Sequence, residues 1–180
     1  SDVCSSDLIK AQGKQVEKIC HQNNAREVRI AKDDTERAAI WKCRKRAFGA
    51  IGRLSPNYVT QDGVVPRSKL PEIMRFIRAT SEKHGLRIPN VFHAGDGNIH
   101  TNLMVEDYQD PSVRAHADEA LDQLFTWILG NGGVITGEHG VGLAKKRWFA
   151  DTVVKEGVAT HSAIKAALDP KGILNPGKFI

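Results

Sequence analysis

The chain has 180 residues, of which 41% are hydrophobic and 26% charged, as in a globular protein with one sizeable core. The net charge of +5 is modest, and no basic run is interleaved with aromatic residues, which argues against nucleic acid as a partner. No apolar run is long enough for a transmembrane segment. The three cysteines form no CxxC pair, which argues against a disulfide framework, a zinc ribbon or an iron–sulfur site and predicts a reducing cytoplasm.

The first eight residues, SDVCSSDL, resemble the translation of a sequencing-adapter end. We therefore expect residues 1–8 to be an adapter-derived artefact, and the natural chain to begin near Ile9 as the remainder of a longer protein. An ordinary disordered N-terminus is the alternative. The fold prediction starts at Ile9 in either case.

In the N-terminal part, loosely helical spacing predicts a helix from Ile9 to about Asn23. The alternating stretch REVRIA predicts a short strand from Arg26 to Ala31. A helix then begins at KDDTER, where Asp and Thr are cap candidates, and runs to about Ala50. The stretch YVTQDGVVP predicts a strand that ends at Pro66, and the helix after it closes at Gly85.

In the C-terminal part, IPNVFHA and IHTNLMV predict two strands around a Gly-Asp-Gly turn. Asp110 caps the clearest helix, which stops at Gly130. A short VIT strand, a glycine-rich GEHGVG turn, a helix from Lys145 to Phe149 and a last helix from about Gly157 to Leu168 follow. The sequence predicts an α+β fold: a mainly antiparallel sheet with helices on one face, as in a ferredoxin-like cap domain, plus a C-terminal helical segment.

The stretch VFHAGDGNIHTN holds His93 and His100, seven residues apart, with Gly-Asp-Gly between them. On one continuous strand an odd separation sends two side chains to opposite faces, and the glycines make a poor helix interior. Two strands that meet at a tight turn would instead let the two histidines converge. The pattern therefore predicts a hairpin, with Asp96 as a turn residue.

A second glycine-rich segment, GGVITGEHGVG, contains Glu138, and glycines there allow a ligand to approach the backbone closely. His93, His100 and Glu138 together offer two imidazoles and one carboxylate, a common ligand set for a divalent transition metal such as Zn, Mn or Fe. A buried, hydrogen-bonded histidine is the more ordinary alternative. The residues alone leave both interpretations open.

The motifs HAGDGNIHTN, GGVITGEHGVGLAKK and LDPKGILNPGKFI, in this order, resemble the C-terminal part of the FAD-linked 2-hydroxy-acid dehydrogenases. The stretch WKCRKRAFGAIGRLSPNYVTQDGVVPRSKLPE is most similar to the branch of the glycolate oxidase flavin subunit. The resemblance covers about Ile9 to Ile180. It implies that residues 9–180 are the C-terminal substrate or cap domain of a flavoenzyme whose N-terminal FAD-binding domain is missing, because no phosphate-cradling glycine loop is present.

The same resemblance assigns roles to the polar residues of these motifs. It implies that His93, His100 and Glu138 bind the divalent metal, and that His139 accepts a proton from the substrate. The implied activity is the oxidation of a small 2-hydroxy acid, glycolate or D-lactate, to the 2-oxo acid. FAD, held mainly by the missing domain, takes the hydride.

The resemblance also implies which further residues contact the substrate and the flavin. Arg44 holds the substrate carboxylate, Asn102 lines the substrate pocket, and Asn175 in the NPGK tail contacts the flavin. Phe48 replaces a carboxylate-binding hydroxyl of the hydroxyglutarate branch, which argues for a small monocarboxylate. An iron–sulfur partner subunit and peripheral attachment to the inner membrane remain open.

Two other functions are alternatives to the flavoenzyme hypothesis. One is a non-catalytic α+β binding or assembly domain of the same fold, and the other is a self-sufficient metallohydrolase that uses the same ligands. Among the remaining polar residues, Lys145 to Arg147 predict a solvated helix face. The histidines outside the motifs are expected at the surface: His21, His84, His116 and His161.

Overall fold

The computed structural model describes residues 2–178, apart from the side chains of residues 2–6 and 151. The predicted artefact at residues 1–8 and the final residues of the predicted tail therefore lie partly outside the described residues. The chain divides into two compact units, Ser1–Arg46 and Ala47–Ile180.

The first unit contains two helices, α1 (Asp2–Gln22) and α2 (Asp34–Lys45). Asp33 caps α2, since its side chain accepts a hydrogen bond from the backbone N–H of Glu36 at 2.8 Å. The predicted helix to Ala50 is interrupted at Arg46, where φ and ψ are −95° and 3°. There the backbone N–H of Arg46 donates to the carbonyl groups of Lys42 and Cys43 at 3.1 and 3.2 Å, which tightens the last turn and ends α2.

The predicted strand at residues 26–31 is wrong, because this segment has no strand structure. Its alternating pattern suits a strand, but in the described part of the first unit no neighbouring strand is available to pair with its backbone. The segment is held by side chains instead. Arg29 donates to Glu36 at 2.8 Å, and Glu36 also accepts from the backbone N–H of Lys32 at 2.9 Å.

The second unit contains the sheet and the remaining helices. Its elements are α3 (Ala47–Ile51), β1 (Asn57–Val64), a 3₁₀ turn (Arg67–Lys69), α4 (Leu70–His84), β2 (Asn90–His93), β3 (Asn98–Val105), α5 (Pro111–Gly130), α6 (Lys146–Thr152) and α7 (Lys155–Leu168). Gly85 ends α4 with a φ of 61°, and Asp110 caps α5. Both ends agree with the sequence prediction.

The sheet has three antiparallel strands in the order β1-β3-β2. Every residue of the central strand β3 is buried. Alternate residues of β3, such as Ile99 and Leu103, pack with α4 and α5 in the hydrophobic core. His100 lies on the opposite face. This α+β architecture, with an antiparallel sheet and helices, confirms the predicted fold class.

The predicted VIT strand at residues 134–136 is reduced to a single bridge between Val64 and Val134. Beyond this bridge the chain does not pair with β1, and the backbone N–H groups of residues 137–139 bond to the side chain of Asp62 instead. In residues 2–178, the helices are either too short or too polar to cross a membrane.

Candidate functional site

The hairpin of β2 and β3 brings the two motif histidines to one face of the sheet. His93 pairs with Asn98, and His100 lies two residues further along β3 on the same face. Asp96 forms the turn as predicted, accepting a hydrogen bond from the backbone N–H of Asn98 at 3.0 Å. The centroids of the two imidazole rings are 5.4 Å apart.

Glu138 reaches the same point from the glycine-rich loop between α5 and α6. Its Oε1 lies 2.9 Å from Nε2 of His100. His93, His100 and Glu138 each offer one ligand atom, and these atoms all lie within 4.8 Å of one another. Ligand atoms at about 2.0–2.2 Å from one ion lie at most about 4.4 Å apart, so the observed spacing is close to what a shared ion requires.

His139 forms the solvent-facing side of the cluster. Its ring stacks on that of His100, with centroids 5.0 Å apart and planes at 17°. The side chain of His139 is 44% exposed, whereas that of His100 is 2% exposed. The buried imidazole of His100, a potential metal ligand, therefore lies against the accessible imidazole of His139.

The backbone of the Glu138 loop is held by one buried carboxylate, that of Asp62 on β1. Its Oδ2 accepts hydrogen bonds from the backbone N–H groups of Gly137, Glu138 and His139 at 2.8, 2.7 and 3.0 Å. The hydroxyl group of Thr136 donates to the same carboxylate at 3.2 Å. Three successive N–H groups around one oxygen form an anion-binding nest, here filled by the protein itself.

Lys145 neutralises the Asp62 carboxylate. Its Nζ contacts Oδ1 of Asp62 and donates to the Asp62 backbone carbonyl at 3.0 Å, and both side chains are buried. Burial alone would raise the pKa of Asp62, but the backbone N–H groups and the Lys145 ammonium outweigh it and lower that pKa. The carboxylate therefore stays ionised and keeps the loop in place.

The residues present fit a divalent metal ion. Two imidazoles and a carboxylate form a donor set suited to Zn, Mn or Fe. Burial lowers the pKa of His100, and the neighbouring His139 and His93 lower it further, against the opposite effect of Glu138. A lowered pKa favours the neutral imidazole, which is the form that binds a metal.

The family model of FAD linked oxidases, C-terminal domain, matches residues 4–179. The chain belongs to this family. Membership confirms the resemblance found in the sequence motifs.

Three relatives are similar to nearly the whole of this chain. The chain is 41% identical over 172 residues to the glycolate oxidase subunit GlcD of Escherichia coli K12, covering 96% of this chain and 34% of the relative. Identity to the Bacillus subtilis subunit of the same name is 34%, covering 96% and 37%. Identity to the mitochondrial D-lactate dehydrogenase [cytochrome] of Kluyveromyces lactis is 33%, covering 97% and 31%. The chain thus spans about a third of the length of these curated relatives.

The two residues assigned to the substrate carboxylate region lie in different units. Arg44 is on α2 in the first unit, where it is half-buried. Phe48 is on α3 in the second unit, and its ring contacts the edge of His100 with centroids 5.8 Å apart. An apolar ring therefore borders the histidine cluster.

Asn102 and Asn175, the residues predicted to contact substrate and flavin, lie in different environments. Asn102 is fully buried, accepts from Thr60 at 2.7 Å and donates to the carbonyls of Pro89 and His100 at 3.2 and 2.9 Å. Its amide is thus engaged within the protein. Asn175 is exposed on the tail after α7, with a φ of 49°, and accepts from Lys178 at 3.2 Å. Their contacts with substrate and flavin stay predictions.

Sequence reasoning missed the pair of Asp62 and Lys145. The expected solvated face at Lys145 to Arg147 is wrong for its first member, which is 3% exposed and bound to Asp62. Arg147 does point outward, with Nη2 3.3 Å from Asp122. The available signal was an aspartate within the β1 pattern and a lysine three residues after the glycine-rich turn. The sequence does not connect these two charges, because they come together only in the folded chain.

Proposed function

We propose that the chain is the metal- and substrate-binding part of an FAD-dependent dehydrogenase that oxidises a small 2-hydroxy acid, glycolate or D-lactate, to the 2-oxo acid. The observation that carries this proposal is the convergence of His93, His100 and Glu138 beside the accessible His139. The names of the relatives, glycolate oxidase subunits and D-lactate dehydrogenases, support the substrate class.

The oxidation removes a hydride from C2 of the substrate and a proton from its hydroxyl group. When bound, FAD supplies the two-electron acceptor for the hydride, and a divalent metal held by His93, His100 and Glu138 supplies Lewis acidity at the substrate oxygen. His139 receives the hydroxyl proton. Its Nδ1 lies 3.8 Å from Oδ1 of Asp62, the carboxylate that Lys145 neutralises.

Substrate selection rests on two further residues in this proposal. The planar guanidinium of Arg44 holds the substrate carboxylate with paired hydrogen bonds that a lysine cannot reproduce. Phe48, against the ring of His100, gives a second carboxylate no hydrogen-bonding partner. A small monocarboxylate is therefore favoured over a dicarboxylate.

The domain organisation follows from the same proposal. Residues 9–180 act as the C-terminal substrate or cap domain, and an FAD-binding domain precedes them in the complete enzyme, with Asn175 beside the flavin. The coverage of 34% of the Escherichia coli relative supports this organisation. We expect a cytoplasmic location with peripheral attachment at the inner membrane as an option, and an iron–sulfur partner subunit as a possible electron acceptor.

The proposal is tested by expressing residues 9–180 alone and joined to an upstream flavin domain of the glycolate oxidase type. The visible spectrum, metal content and dye-linked oxidation of glycolate and D-lactate are then recorded. We expect the joined protein to be yellow, to contain a divalent metal and to oxidise at least one acid, and the isolated chain to be colourless and inactive. A joined protein that binds flavin but oxidises neither acid would support the assembly-domain alternative.

The role of His139 is tested in the joined protein. His139→Gln should lower kcat by about 100-fold or more, because general-base catalysis typically contributes that much. His161→Gln is the matched control, since it removes an exposed imidazole on α7 that bonds to a backbone carbonyl. Equal activities of the two variants would contradict the proton-acceptor role.

A further inference from the structure

A second group of metal-type ligands lies in the second unit and shares no residue with the site described above. His84, His116 and Glu119 each offer one ligand atom, and these atoms all lie within 4.8 Å of one another. The sequence predicted surface positions for both histidines, and this is wrong for His84, the last residue of α4, which is 8% exposed. His116 and Glu119 are exposed on α5.

Helix geometry explains how the three side chains meet. His116 and Glu119 are three residues apart on α5, so they share one face of that helix. Residues of α4 and α5, including Ile77 and Leu121, pack together in the core. This packing places the C-terminal end of α4, with His84, against the first turns of α5.

The ring of His116 is already oriented as in a metal site. Its Nε2 lies 2.7 Å from the backbone carbonyl oxygen of His84. A carbonyl oxygen only accepts, so Nε2 carries a hydrogen, which leaves Nδ1 as the ring nitrogen available to a metal. Metal-binding histidines commonly donate their second N–H to a backbone carbonyl in this way, which fixes the tautomer and the ring orientation.

His84 supplies an independent indication of a ligand. Its Nε2 is buried and has no hydrogen-bond partner among the described residues. The rings of His84 and His116 are 5.0 Å apart. A buried polar atom without a partner has lost its hydrogen bonds to water and has no hydrogen bond within the protein to replace them. Such atoms are unusual in folded proteins unless a ligand binds to them.

The carboxylate of Glu119 is available to a cation. It accepts one hydrogen bond, from Gln123 at 3.3 Å. The nearby Lys83 donates to Gln123 at 3.1 Å instead. Within residues 2–178, Glu119 takes part in no ion pair, so no lysine or arginine competes for its charge.

We propose that His84, His116 and Glu119 bind a divalent transition-metal ion at the junction of α4 and α5. Two imidazoles and one carboxylate favour Zn²⁺ or Co²⁺ over Mg²⁺ or Ca²⁺, which prefer oxygen ligands. The buried His84 anchors the ion, and the exposed His116 and Glu119 close the site from the solvent side. This site is independent of the proposed dehydrogenase function.

The test uses the full 180-residue chain, freed of metal and titrated with Zn²⁺ against a chromophoric chelator. His93→Ala removes a ligand of the first cluster, so an ion that still binds reports on the second one. In this background we expect one Zn²⁺ per chain, lost on adding His116→Ala. The matched control adds His161→Ala, which removes another exposed, carbonyl-bonded imidazole and should leave the ion bound.

Two results would overturn the proposal. One is that the His93→Ala chain binds no Zn²⁺, and the other is that His116→Ala leaves its stoichiometry unchanged. Because His116 is exposed, its replacement should preserve folding, which the unfolding transition verifies. As a second measurement, His116→Ala in the unaltered chain should reduce bound Zn²⁺ from two ions to one, and an unreduced count would contradict the site.

Discussion

Two clusters of the second unit hold the same set of side chains, two histidines and one glutamate, on different supports. The cluster at His100 joins a β-hairpin to a glycine-rich loop, and the Asp62 carboxylate beneath the loop binds three of its backbone N–H groups. The cluster at His84 joins the end of one helix to an exposed face of another. Helix periodicity arranges most of the second cluster, whereas a non-local buried charge arranges the first.

The difference predicts where each cluster is vulnerable. A change distant from its ligands should disturb the first cluster, because the backbone of Glu138 and His139 depends on Asp62. The second cluster should respond mainly to changes of its own ligands, since its helices are held by the hydrophobic core. Four predictions examine this contrast, in order of decreasing expected effect.

Asp62→Asn should have the largest effect. It leaves the Lys145 ammonium buried without its carboxylate, and breaking a buried ion pair in this way costs about 3–5 kcal/mol. Denaturant unfolding of the 180-residue chain measures this loss, and metal titration should show a weakened first cluster with the second unchanged.

Asp169→Asn is the matched control for Asp62→Asn. Asp169 also accepts two backbone N–H groups and contacts a lysine, Lys165, but the Lys165 side chain is 35% exposed and can regain water. A smaller loss of stability is therefore expected. Equal losses for the two variants would contradict the special role of the buried pair.

Gly97→Ala should have the next largest effect, because it strains the hairpin that carries His93 and His100. Gly97 has a φ of 83°, and an added Cβ would lie 2.0 Å from the carbonyl oxygen of Val65. We expect a loss of about 1–3 kcal/mol in unfolding free energy. Gly95→Ala, in the same turn with open space around it, is the control. If both variants unfold alike, the close approach at Gly97 does not constrain the site.

These two substitutions also show which features could be predicted from the sequence. The hairpin, its Asp96 turn and the helix ends at Gly85 and Asp110 depend on neighbouring residues, so local patterns were sufficient. The contact of Asp62 with Gly137 spans 75 residues, and no local pattern reports it. A charged strand residue has the same sequence signature whether it faces solvent or a nest of N–H groups.

The errors have related causes. The alternating residues 26–31 lack a partner strand, and the existence of a partner is a property of the whole fold. A charge run usually predicts a solvated face, but Lys145 is buried because it pairs with the buried carboxylate of Asp62. The position of His84 at a helix end predicts an exposed side chain. In the fold, His116 of α5 packs over that helix end and contacts the backbone carbonyl of His84.

Glu138→Gln should change stability little without metal, by about 1 kcal/mol or less, because its side chain is 53% exposed. With Zn²⁺ it should lose the ion of the first cluster and keep that of the second. Glu119→Gln should do the reverse. Metal titration of both variants measures which of the two ions each variant loses, and unfolding in the presence of a chelator measures their metal-free stability. A variant that loses both ions would show that the clusters are not separate sites.

His84→Leu should have the smallest effect on the metal-free chain. The imidazole makes no hydrogen bond among the described residues, and His116 bonds to the backbone of His84, which the substitution retains. Leucine fills a similar buried volume without a polar atom, so the unfolding free energy should change by about 1 kcal/mol or less, in either direction.

With Zn²⁺ at about 100 times the dissociation constant of the second cluster, the unaltered chain should gain roughly 2.7 kcal/mol from that site, and His84→Leu should not. His93→Ala as the common background isolates this gain from the first cluster. Thermal unfolding with Zn²⁺ and with a chelator measures it. If His84→Leu instead unfolds far more easily without metal, the ring of His84 stabilises the fold by packing against His116, and this packing rather than a ligand accounts for its burial.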